Sequence, residues 1–314
     1  MGGTKILAAV INSKEGVIAK IKKPTYADVN QKIYIKVLTE IINELISKAN
    51  LKTTNIKAIS LGIPGSLNPY TGVIGLAPNI GLHNFPIKKK LQEKISIPVL
   101  IENDVNLGAL GIQKFGVAKK AKNVLVVFVG TGIGGAIIID KKIYRGSNFV
   151  AGEIGHIIVD EKGPVCGCGN KGCFEAVASR SAIVRNIERE IKANKNTILN
   201  KLKSPKKPIK SKMLAQAVKA GDKLVIKHIS NACVTMGVVL AGLTNLMNFD
   251  MIVLGGGLIE ALDNFLLPRI KASFNEYVLN DAQKGLKIIA SKLGDEAALC
   301  GGIALAEEFL EIKV

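Results

Sequence analysis

The sequence predicts an α/β protein of two lobes, and three observations carry that expectation. Segments of alternating, β-branched character are interleaved with segments whose apolar residues recur at three- and four-residue spacing, the pattern of strands alternating with helices. A glycine-rich turn joined to apolar segments occurs near the start and again from Asn123, so the chain reads as two related halves. With 314 residues, 48% of them hydrophobic, it can bury more than one small domain's core.

The elements follow in order. GTKILAAVI and GVIAKIKKP alternate on either side of the turn SKEG and predict a hairpin. NQKIYIKVLTEIINELISKA has helical spacing. IKAISLGI predicts a strand, PGSLNPYTG a turn-rich connection, and a further helix and strand end at IPVLIEND. In the second half NVLVVFVG is a strand, GTGIGG a glycine loop and AIIID another strand. The remainder is mostly helical, interrupted by the strand MIVLGGG, and no short-period repeat competes with this reading.

Charge narrows the function. A net charge of +18 would attract phosphates through counterion release. The excess is almost all Lys, accompanied by many Ile and Asn, as a codon-skewed genome would produce. The dense cluster KANKNTILNKLKSPKKPIKSK, Lys192 to Lys212, has two prolines and no aromatic residue, which predicts a solvated connection rather than a base-stacking surface. Apolar runs such as MGVVLAG are too short to span a bilayer, and no charged-then-apolar leader precedes them. A cytoplasmic protein with neither nucleic acid nor membrane as partner is expected.

Residues 152–175, GEIGHIIVDEKGPVCGCGNKGCFE, gather one of the three histidines and three of the five cysteines. His156, Cys166, Cys168 and Cys173 form H-x9-C-x-C-x4-C, with glycines at 167, 169 and 172 between the sulfurs. Zn²⁺ prefers four N/S ligands in a tetrahedron, and glycine lets the backbone fold tightly around the ion. In a reducing compartment a disulfide is the weaker reading, and four protein ligands leave no open position for zinc chemistry. A structural zinc is therefore expected, while Cys233 and Cys300 sit in apolar helical contexts as core residues.

GEIGH followed by CGCGNKGCFE resembles the signature of the ROK family of sugar kinases, and further landmarks fall in order across nearly the whole chain. These are GGTK at 2–5, GIPG at 62–65, APN at 77–79, END at 102–104, GTGIGG at 130–135 and LGGG at 254–257. The likeness is strongest to the glucokinase branch, through APNIGLHNFPIKKKLQEKISIPVLIENDVN and LGDEAALCGGIALAEE. The winged helix of the family's repressors would precede the first glycine motif, where this sequence has no room for it.

The resemblance implies an actin-like (ribonuclease H-like) two-lobed ATPase fold of the hexokinase, actin and Hsp70 type, with sugar and ATP meeting in a cleft. Residues 1–118 would form the small lobe, completed by a C-terminal helix at 300–314, and residues 119–299 the large lobe carrying the zinc knot. Asp104 would accept the sugar hydroxyl proton, although an Asp following a strand also reads as a helix N-cap. By similarity Gly65, Asn79, Asn103, Glu153, His156 and Glu175 would contact the hexose, with the metal fixing the His156 ring. Gly3, Thr4, Lys5, Gly130, Thr131, Gly132, Gly255, Gly256 and Gly257 would bind ATP, which requires Mg²⁺. No loop matches a Walker A motif. Family members are often homodimers or homotetramers, and the same is expected here.

One departure bears on activity. The family pattern is Asp-x-Gly-Gly-Thr-Lys, and here Met1 occupies the x position. A start taken at an internal Met of a longer chain accounts for this more readily than a natural loss. If the chain begins at Met1, a central strand of the first sheet is absent. Two functions are therefore carried forward: an ATP:glucose 6-phosphotransferase, with fructose, mannose or an N-acetylated hexosamine as alternative substrates, and a catalytically weak sugar-binding sensor.

Overall fold

The structure, a computed structural model, describes residues 5–12, 14–25, 31–202 and 208–312. β1 (Lys5–Asn12) and β2 (Gly16–Pro24) form the expected hairpin, and the Lys14 and Glu15 amides donate to Asn12 Oδ1 at its turn. α1 (Gln31–Lys48) buries Tyr34, Leu38, Ile41 and Leu45, the stripe visible in the sequence. β3 (Ile59–Ile63), β4 (Ser66–Asn68), β5 (Val73–Ala77), β6 (Leu82–Phe85), α2 (Ile87–Gln92), β7 (Val99–Asn103) and α3 (Asp104–Phe115) follow. The second half runs β8 (Val124–Val129), β9 (Ile133–Ile139), β10 (Lys142–Tyr144), α4 (Phe174–Ala178), α5 (Arg180–Lys192), α6 (Leu199–Leu202), α7 (Ser211–Lys219) and α8 (Lys223–Met247). It ends with β11 (Met251–Gly255), α9 (Gly257–Tyr277), β12 (Lys287–Ala290) and α10 (Glu296–Leu310).

The chain divides into two compact units: residues 1–120, 143–151 and 295–314, and residues 121–142 and 152–294. In the first, β3 pairs in parallel with β7, Ile59 opposite Val99 through Ile63 opposite Asn103. β1 pairs with β2, and among the described residues no ladder joins β1 to β3. A shared core of Ile6, Ile21, Leu38, Ile63, Val99 and Ile101 nonetheless spans both pairs. α10 packs on β1, β3 and most closely on α3. A side chain at Gly111 would strike the Ala297 carbonyl and one at Gly301 the Leu107 carbonyl, so these glycines permit the helices to touch.

The second unit is built on a five-stranded sheet in the order β10-β9-β8-β11-β12, with β8 antiparallel to β9 and parallel to β11, and β11 parallel to β12. Such an order agrees with an actin-like lobe. α8 lies along α9 and buries Ile229, Cys233, Met236 and Leu240 in the core. By length and composition α8 is apolar enough to cross a bilayer, which the short apolar runs of the sequence do not suggest; half of its apolar window is buried as a core helix.

Three stretches differ from expectation. PGSLNPYTG is not merely a turn, because Ser66–Asn68 opens an antiparallel meander, β4-β5-β6. The mostly helical tail contains the additional strand β12. The lysine cluster is not wholly solvated: Leu199 and Ile209 are buried and anchor it, whereas residues 203–207 lie outside the described residues.

Candidate active site and metal cluster

In the first unit, β7 runs directly into α3, so three consecutive residues face three environments. Glu102 is 2% exposed, Asn103 ends the strand and Asp104 opens the helix. The N-cap is Asn103, not Asp104: its Oδ1 accepts from the amides of Val105 (2.9 Å) and Asn106 (3.2 Å). Its Nδ2 donates to the Gly65 carbonyl at 3.2 Å, leaving one N–H for another partner. Gly65 has φ +113°, and a Cβ there would collide with the Leu76 carbonyl, so glycine is required for that turn to reach Asn103. Asp104 accepts from the Val105 amide at 3.1 Å. Burial pushes its pKa above the ordinary carboxylate value, against the lowering effect of backbone N–H groups. Asn79 stands exposed on a one-turn helix, Pro78–Ile80. Lys5 is paired with Asp295, while Gly3 and Thr4 lie outside the described residues.

Glu102, the first residue of END, has no role assigned from the sequence. Its Oε1 accepts from the Asn103 amide and from Asn106 Nδ2, and its Oε2 from Arg145 Nε at 2.7 Å. Arg145 also donates through both terminal nitrogens to Glu308, at 2.8 and 3.2 Å. Burial works against the Arg145 charge, but Glu308 and Glu102 outweigh it and hold its pKa above the usual value. The signal was a lone carboxylate within the buried strand VLIEN, a position that demands a cationic partner.

In the second unit the glycine turns come together at the carboxyl ends of parallel strands, where open α/β sheets bind ligands. Gly255 lies opposite Phe128, and a side chain on Gly256 (φ +88°) would sit 2.7 Å from the Val129 carbonyl, the residue before Gly130. Gly257 then opens α9. Gly132 abuts Glu175, whose Oε2 accepts the Ile133 amide at 2.9 Å. Glu175 therefore has one oxygen committed to the glycine loop, and its other lies 3.9 Å from Cys166 Sγ.

The ligand atoms of His156, Cys166, Cys168 and Cys173 lie within 4.8 Å of one another. Cys166 Sγ is 3.7 Å from His156 Nδ1, and Cys168 Sγ is 3.6 Å from Cys173 Sγ. A zinc tetrahedron with bonds of about 2.0–2.3 Å has edges of roughly 3.5–3.8 Å, so the cluster has the size to hold the ion. The loop owes its closure to Gly172 (φ +70°), where a side chain would strike the Asp160 carbonyl, and to Gly169 (φ +94°). The Asn170 amide lowers the Cys168 thiol to about 7, whereas burial pushes Cys173 up to about 12. His156 Nε2 is 3.8 Å from Glu153 Oε2.

A sequence profile of the ROK family matches residues 1–309. A glucokinase of Halalkalibacterium halodurans is 33% identical over 96% of this chain and 92% of its own length. A xylose repressor of Caldicellulosiruptor bescii is 32% identical over 86% of this chain and 67% of its own length. The crystal structure of a ROK family glucokinase from Streptomyces griseus, in complex with glucose and AMPPNP, superposes with a TM-score of 0.82 at 29% identity, covering 98% of this chain and 97% of the other. Fold and sequence together define a two-unit α/β protein of the kind found among sugar kinases. The chain belongs to the ROK family.

Proposed function

We propose that this protein is an ATP-dependent hexose kinase that transfers the γ-phosphoryl group to the 6-hydroxyl of glucose. The observation that carries the reading is Asp104, a half-buried carboxylate of raised pKa at the strand-to-helix junction, beside Asn103, which is fixed by capping the helix. Phosphoryl transfer needs an oriented nucleophile and a base within reach. Asp104 takes the 6-hydroxyl proton as the sugar oxygen bonds to the γ-phosphorus and the bond to the ADP oxygen breaks. Gly65, Asn79, Asn103, Glu153, His156 and Glu175 hold the hexose. Lys5, residues 2–4 and the glycine turns at 130–132 and 255–257 hold ATP, which enters as its Mg²⁺ complex. The size and donor set of the cluster support a structural zinc on His156, Cys166, Cys168 and Cys173. Held by these four residues, the ion would fix the His156 ring and stiffen the segment that carries Glu153 and Glu175.

The same reading includes a cytoplasmic location and self-association as a dimer or tetramer, both implied by the family resemblance. The xylose repressor relative supports a second reading, a sugar sensor without turnover. A coupled assay over glucose, fructose, mannose and N-acetylated hexosamines, with ATP, ADP or polyphosphate as donor, separates them. The kinase reading expects glucose-dependent product with ATP. Saturable sugar binding without phosphoryl transfer from any donor would favour the sensor.

A further inference from the structure

Arg180, which no motif singles out, opens α5 beside the glycine turn of the second unit. Its amide donates to the Gly130 carbonyl at 3.0 Å, and its guanidinium donates to Thr131 Oγ1 at 2.7 Å. Arg145 is held by two carboxylates, whereas the Arg180 guanidinium pairs with none among the described residues. The turn is open in front: a side chain at Gly130 would meet nothing within 4 Å, and Thr131 is exposed. Because Thr131 Oγ1 accepts from Arg180, its own O–H is left to donate outward. A guanidinium with unused N–H groups, a hydroxyl directed as donor and an open glycine turn form a recognition set for phosphate oxygens.

We propose that Arg180 is a phosphate-binding residue for the nucleotide. Thr131 holds the guanidinium in place, and the pair contacts the phosphate chain together. The inference rests on the kinase reading and deepens it.

Calorimetric titration of the purified protein with AMPPNP and with adenosine tests it. Arg180→Ala should weaken AMPPNP binding by about 10- to 100-fold, the usual worth of hydrogen bonds to a charged group. Adenosine, which has no phosphate, should bind parent and variant alike. Arg180→Lys should recover part of the loss. Arg180→Gln, which keeps a donor for Thr131 without the charge, gives the same test if the alanine variant does not fold. Equal losses for AMPPNP and adenosine would make Arg180 a prop for the turn and overturn the proposal, as would undiminished AMPPNP binding. If the parent itself binds no AMPPNP, the kinase reading fails and the inference fails with it.

Discussion

Under the proposed mechanism Asp104 would meet opposed demands, because partial burial favours its neutral form while proton acceptance would need its carboxylate. Its folded pKa lies above the ordinary value of 3.8. The stability it contributes is therefore fully present below that value and is lost as the pH rises through the raised one. At neutral pH the half-buried carboxylate is a net cost. Asp104→Asn should melt at a higher temperature than the parent at pH 7, the gap closing as the pH falls through the raised value. Calorimetry at both ends of that window checks this, and an unchanged or lower melting temperature at pH 7 would count against it. Glu102 and Arg145 show the converse, a charge that burial makes dependent on its partner. Arg145→Met strands the Glu102 carboxylate and should cost about 3–5 kcal/mol in urea unfolding. Adding Glu102→Gln should restore part of that loss, and additive losses would show that the pair is not coupled.

At the scale of elements, the proposed zinc on His156, Cys166, Cys168 and Cys173 would make folding and ion binding of that loop one process. Cys168→Ser should lose zinc by elemental analysis and thermal stability together; a variant stable without metal would contradict a structural ion. The split first sheet makes its own prediction. β1 and β3 each have one ladder partner among the described residues, whereas β8 and β11 have two. Hydrogen exchange should be faster in β1 and β3 than in β8 and β11, and uniform protection would show that the edges are covered. Legibility in the sequence follows the same physics. β8, VLVVFV, is a continuous apolar run and is legible directly, as is the α1 stripe. β4 was missed because SLN has no apolar run, and its hairpin depends on Asn68 Oδ1 accepting from the amides of Tyr70 and Thr71. β12, KIIA, is too short for its period to separate strand from helix turn. In the site, glycine and cysteine spacings were legible because they are local. The Glu102–Arg145 pair was not, since its members stand 43 residues apart.

For the whole molecule, family membership accounts for the fold, while catalysis depends on side chains that kinase and repressor relatives need not share. The net charge of +18 is spread largely over lysines, and buried Leu199 and Ile209 tie part of the densest cluster to the core. The protein should therefore show no salt-sensitive, sub-micromolar binding to duplex or single-stranded DNA, and such binding in an anisotropy titration would move the reading towards a regulator. The most direct test of the central claim is the single-turnover rate of phosphoryl transfer from ATP to glucose, compared between the parent and Asp104→Asn, with glucose affinity measured on both. If Asp104 is the base, the chemical step falls by about 10²- to 10⁴-fold while glucose affinity changes far less. Transfer at the parent rate by Asp104→Asn would contradict the account and make Glu153 the next candidate base.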